Sequence, residues 1–197
     1  MKLLFDNWRN YVLLENIEKA NALSIFDFDE TIAFSHTPTG VFDKATGETF
    51  EITTQEELDD LMKNSDRYEF DFSTMDVVTN AVENVPITKI LKKRVSNPDT
   101  AVLVLTARKS VAEDDIHRVL DSFGINTDDL YIVGLEGAPK GDFVLQQIIE
   151  KFPNITKIEF YDDSLINISS MQSAKQKSQL DNFQIYHVED GSPKLVS

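Results

Sequence analysis

The sequence predicts an α/β fold: a Rossmann-like, three-layer α/β/α domain on a mainly parallel five-stranded sheet, with a small flap or lid insertion. Three observations carry this expectation. Five apolar, partly β-branched runs read as strands, and helical segments separate the last four of them. Such near-continuous apolar strands, alternating with helices, belong to a parallel sheet covered on both faces. About 70 residues lie between the first and second run, far more than a crossover needs.

Taken in order, residues 3–19 read as an amphipathic helix, with Leu4, Trp8, Tyr11, Val12 and Ile17 near one face. "LSIFDF" (23–28) is the first strand. The lid insertion spans about 34–85. Within it "VFDKATGETFEIT" (41–53) reads as a hairpin, with Gly47 at a left-handed turn position. "TQEE" (54–57) is a capping box that opens a short helix. "NSDRYEFDFS" (64–73) is expected to be irregular surface chain pinned by its aromatics. The second strand is "AVLVLT" (101–106), followed by a helix that a capping box at Ser110 starts and Gly124 ends. "LYIVGL" (130–135), a helix over roughly 140–152, "KIEFY" (157–161), a helix around 164–176 and "FQIYHV" (183–188) complete the domain. The whole of 1–197 reads as one domain.

Composition narrows the function. Nineteen basic against 34 acidic residues give a net charge of −15. Residues 43–83 alone hold twelve acidic and three basic side chains. That balance opposes an extended nucleic-acid surface, since each phosphate contact needs a cation, but it leaves room for one terminal phosphate. There is no cysteine, which excludes thiolate zinc sites and thiol nucleophiles. Asp6 and Arg9 interrupt any signal-peptide core, and no apolar run reaches the ~20 residues of a membrane span. The expected location is cytoplasmic.

Three strands end in reactive residues: Asp27-Phe28-Asp29-Glu30-Thr31, Thr106-Ala107-Arg108-Lys109 and Asp162-Asp163-Ser164. Lys140 follows the third strand at a helix start. Ligands of open parallel sheets sit beyond the carboxyl ends of the strands, so one edge would gather all four sets. Three or four carboxylates at one spot repel each other unless a cation sits among them, and oxygen donors alone suit magnesium. Thr106, Arg108 and Lys140 complement a phosphate. Together they describe phosphoryl transfer.

"DFDET", "LTAR", the later lysine and "YDDS" resemble, in order and context, the four motifs of the haloacid dehalogenase (HAD) superfamily of phosphatases, over residues 22–190. The resemblance implies an Mg2+-dependent phosphomonoester hydrolase with an aspartyl-phosphate intermediate. Asp27 would be the nucleophile and Asp29 the general acid and base. Thr106, Ala107, Arg108 and Lys140 would bind the phosphoryl group. The metal would lie among Asp27, Asp29, Asp162 and Asp163, with Asp162 preferred over Asp163 as direct ligand. "LTARKS" and "YDDS" are closest in style to the 3′-phosphatase domain of bacteriophage polynucleotide kinases and related small phage phosphatases, although Ala107 stands where that group usually has glycine. A polynucleotide 3′-phosphate or a nucleotide is then the expected substrate. The alternatives are a small-molecule phosphatase for sugar phosphates or free nucleotides, and a non-catalytic binding protein on the same fold. His36 is a further candidate for substrate contact. Membrane partners are not expected, and the oligomeric state is open.

Overall fold

The computed structural model describes residues 17–35, 38–128 and 130–197, apart from the side chains of Gln55, Glu56, Asp59 and Met75. The helix read over 3–19 therefore lies outside the described residues except for 17–19, which are helical, and His36 lies outside them too.

The five expected strands are β1 (Ala22–Phe26), β7 (Thr100–Thr106), β8 (Leu130–Gly134), β9 (Lys157–Asp162) and β10 (Asn182–Glu189). All five are parallel, and a sixth, β11 (Ser192–Leu195), adds antiparallel to β10, giving the order β11-β10-β9-β1-β7-β8. The extra strand corrects the expected count of five. Its signal is Asp190-Gly191: both have positive φ, 48° and 72°, the pair of left-handed residues that a two-residue hairpin turn requires. Pro193 is tolerated because β11 is an edge.

Alternation sends the strands' side chains to two cores. Leu23, Ile25, Leu103, Leu105, Ile158 and Phe160 face α4 (Lys140–Phe143, continuing in wider turns through Val144–Ile149) and α5 (Leu165–Ser178). Phe26, Val102, Val104 and Tyr161 face α2 (Val85–Val95) and α3 (Glu113–Ser122). Helices on both faces make the three layers. Phe26, Tyr161 and Tyr186 stack across β1, β9 and β10 with ring centroids 4.7 and 4.6 Å apart. α3 ends as expected, with Gly124 at φ 72° and the Ile125 amide returning to the Leu120 carbonyl. Its start differs: Ser110–Ala112 form a tight 3-10 turn without a side-chain cap, and Glu113 instead accepts from the Gly134 amide at 3.3 Å.

Between β1 and α2 lies the lid. β2 (Ala33–Phe34) and β6 (Val82–Glu83) pair at its base, and β3 (Thr39–Asp43) and β4 (Thr49–Ile52) form the expected hairpin, with Gly47 at φ 75°. Thr54 and Glu57 cap α1 (Gln55–Met62) reciprocally, as the sequence predicts. Residues 64–73 are not irregular throughout. Tyr68–Asp71 form β5, which pairs antiparallel with β3. The alternation Tyr68, Phe70, Phe72 against Glu69, Asp71 is a strand pattern, and Tyr68 and Phe70 pack on the small core of Val41, Ile52 and Leu58.

Candidate active site

Three parallel neighbours, β9, β1 and β7, end side by side, so their carboxyl termini deliver side chains to one place. The Asp27 amide bonds the Tyr161 carbonyl at 2.9 Å, which keeps Asp27 in the sheet's register one residue beyond β1. The chain then turns back on itself, with the Ile32 and Ala33 amides on the Phe28 carbonyl.

At the floor Lys140 is 1% exposed and donates to both Asp27 and Asp162, the second at 2.7 Å. Its place depends on Gly141. A Cβ there would lie 2.2 Å from the Ser170 carbonyl oxygen, so only glycine lets α4 approach α5 this closely. The Gly141 amide also bonds Ser170 Oγ at 3.1 Å. Burial would lower the Lys140 ammonium, but the charges of Asp162 and Asp27 outweigh it and hold its pKa above the ordinary value. Burial, helped by Asp162, Asp163 and Asp29, raises Asp27 well above the usual carboxylate range against the pull of Lys140.

The adjacent aspartates diverge. Asp162 is wholly buried, and besides Lys140 it accepts from the Ser164 amide at 2.9 Å and Asn167 Nδ2 at 3.1 Å, anchoring the start of α5. Asp163 instead lines a cavity of about 360 Å3 together with Asp27 and Asp29. Thr31 Oγ1 donates to it at 3.2 Å, and burial with the nearby Asp162 charge pushes its carboxyl up to about 7. His187 holds the Asp163 carbonyl through Nε2 at 2.8 Å.

Asp29 is gripped from two sides. Arg108 is 1% exposed and forks onto it, with Nε 2.9 Å from Oδ2 and Nη2 2.7 Å from Oδ1. Ser35 Oγ donates to the same carboxylate. Arg108 Nη1 also reaches the Val77 carbonyl at 3.0 Å, linking the lid's return segment to the site. Thr106 is fully buried at the end of β7, and its Oγ1 accepts from the Arg108 amide at 3.1 Å. Ala107 lines the cavity.

The structure thus brings together Asp27, Asp29, Thr106, Ala107, Arg108, Lys140, Asp162 and Asp163. Sequence reading missed Ser35, which holds Asp29, and Asn167, Leu58 and Met62, which wall the cavity beside Phe72. Thr106, Lys140 and Asp162 form a layer beneath the cavity rather than its lining.

The chain is similar to the HAD domain of the effector protein Lem4 from Legionella pneumophila. Identity is 14% and the TM-score 0.47, over 86% of this chain and 87% of that one. An inactive mutant of the same domain gives 14% and 0.49, over 85% of each chain. The L. pneumophila effector Ceg4 gives 11% and 0.47, over 95% of this chain and 90% of that one. No family model matches the chain, and neither does any curated protein. No helix among the described residues is long and apolar enough to cross a membrane.

Among the described residues no three carboxylates converge as a ready-made metal site. The donor set nevertheless fits a magnesium ion. Asp27, Asp29 and Asp163 line one cavity and offer oxygen donors only.

Proposed function

We propose that the protein is a magnesium-dependent phosphohydrolase that cleaves phosphomonoesters through a phosphorylated Asp27. The observation that carries this reading is that Asp27, Asp29 and Asp163 line one cavity, over a floor where Lys140 bridges Asp27 and Asp162. The alternatives kept from the sequence differ in substrate or lack turnover, and all use this cavity.

Asp27 attacks phosphorus, and the bond to the leaving oxygen breaks while that oxygen takes a proton from Asp29. Asp29 then removes a proton from the water that hydrolyses the aspartyl-phosphate. The hydrogen bonds from Arg108 and Ser35 fix the carboxylate's orientation for both transfers. Lys140 balances the charge of Asp27 and Asp162 from below, and the Ala107–Arg108 segment forms the phosphoryl-binding wall, set in place by buried Thr106, whose Oγ1 accepts from the Arg108 amide. The magnesium ion would be held by Asp27, Asp163 and the Asp29 carbonyl, and when bound it supplies the positive charge that lets an anionic nucleophile meet an anionic phosphate. Asp163 replaces Asp162 as the preferred direct ligand, because the oxygens of Asp162 already serve Lys140, Ser164 and Asn167.

The test is hydrolysis of a generic aryl phosphate with saturating Mg2+. Turnover should be lost on chelation with EDTA and in Asp27→Asn. Activity that survives both would refute the reading.

A further inference from the structure

The cavity wall speaks to the substrate. We propose that it selects phosphomonoesters whose leaving group is apolar and carries positive rather than additional negative charge. This rests on the phosphohydrolase reading and narrows it.

A volume of about 360 Å3 holds a phosphoryl group and a ring-sized body. Leu58 and Met62 of α1, Phe72 beyond β5 and Ile166 of α5 give the upper wall a carbon surface. An aryl or alkyl group gains by leaving water against such a surface, and a sugar or a phosphodiester does not.

The charged part of the wall is acidic. Glu30 and Glu136 line the cavity, and both sit in the left-handed backbone region, at φ 54° and 52°, where glycine or asparagine would be less strained. Glu136 is held there by its amide on the Arg108 carbonyl at 3.3 Å, with the Gly137 amide on the Ala107 carbonyl at 3.1 Å. The two lining cations are already engaged by carboxylates, Arg108 with Asp29 at 2.7 Å and Lys109 with Asp76 at 3.0 Å. The lid segment 43–83, which gives Leu58, Met62 and Phe72 to the wall, holds twelve acidic against three basic residues. The reacting phosphoryl group would have the magnesium ion beside Asp27 and Asp163 for its charge. A second anion would meet Glu136 and the acidic lid, and every neighbouring phosphodiester of a polynucleotide end is such an anion. An ammonium group in that position is attracted instead.

Three 4-substituted benzylphosphonates test this, bearing aminomethyl, methyl or carboxymethyl, with binding measured by calorimetry in Mg2+ at pH 7.5 and low salt. The aminomethyl probe should bind about tenfold or more tighter than the carboxymethyl probe, with the methyl probe between, and high salt should shrink the gap. Glu136→Gln should narrow it as well. Equal or reversed ranking, a gap indifferent to both salt and Glu136→Gln, or no binding by any probe would overturn the proposal. Turnover of the matching phenyl phosphates separates the two claims. Charge-ranked binding without turnover supports the selectivity and overturns the phosphohydrolase. Faster turnover of a 3′-phosphorylated oligonucleotide than of the methyl compound overturns the selectivity alone.

Discussion

Replacing Lys140 by methionine keeps the volume of the side chain and removes its charge from between two carboxylates. Lys140 is 1% exposed, Asp27 6% and Asp162 0%, so no solvent takes over when the ammonium goes. Removing one partner of a buried pair costs about 3–5 kcal/mol, because the other is left uncompensated, and here two are left. The pH dependence has a definite sign. In the parent protein the raised ammonium contributes fully below its ordinary 10.5, and that contribution fades only as pH climbs through the higher folded value. In the variant the orphaned Asp27 carboxylate, already raised by burial, is relieved by taking up a proton, so the deficit should be largest near pH 8 and shrink toward pH 5. Urea unfolding of the metal-free proteins at both pH values measures it, with the midpoint falling and the m-value unchanged. Added Mg2+ should restore more stability to the variant than to the parent. A loss below about 1 kcal/mol at pH 8, well short of that expected for a broken buried pair, or one independent of pH, would refute the reasoning.

Gly141→Ala places a Cβ 2.2 Å from the Ser170 carbonyl oxygen, so α4 must shift. It should cost about 1–3 kcal/mol by urea unfolding, the range for overpacking, and lower kcat through displacement of Lys140. Unchanged stability and kcat would contradict that account of the α4–α5 contact. Asp163, pushed up to about 7, holds a proton in the folded state that the unfolded chain has shed above its ordinary 3.8. This group therefore makes the metal-free protein lose stability as pH rises from 4 to 7, and Mg2+ must displace the proton to bind. The gain in Tm from saturating Mg2+ should be larger at pH 8 than at pH 5.5, and an equal gain would contradict Asp163 as a ligand.

Much of the fold was legible because burial on both faces leaves an unmistakable apolar run, as at "AVLVLT" and "LSIFDF". The lid hairpin and the Thr54–Glu57 cap were legible for a different reason, since turn and cap chemistry is local. Strand β5 was hidden by its charged alternate residues, which read as surface although Tyr68 and Phe70 point to a small core. Strand β11 had a local signal, Asp190-Gly191, on a segment too short and polar to be noticed without it. Within the site the residue types were legible, and the division of labour between Asp162 and Asp163 was not. Adjacent residues leave a strand end in different directions, and which one faces the cavity is decided by distant partners, here Lys140 and Asn167. Lys92, Lys93 and Arg94 form a run of cations that by itself reads as a solvated helix end. All three lie in the last turn of α2, yet Arg94 turns inward to buried Glu159, at 2.7 and 3.0 Å. Ser35 had no sequence signal at all, because its role comes from the turn that folds it back onto Asp29.

The proposed hydrolysis stands on a covalent bond from Asp27 to phosphorus. The most direct measurement is an acid quench of the protein during turnover of an aryl phosphate with Mg2+, followed by mass spectrometry of the peptide containing Asp27. A phosphorylated Asp27 that is lost on hydroxylamine treatment and absent from Asp27→Asn is the predicted result. Steady turnover with the phosphoryl group on another residue, or with turnover undiminished in Asp27→Asn, would contradict it.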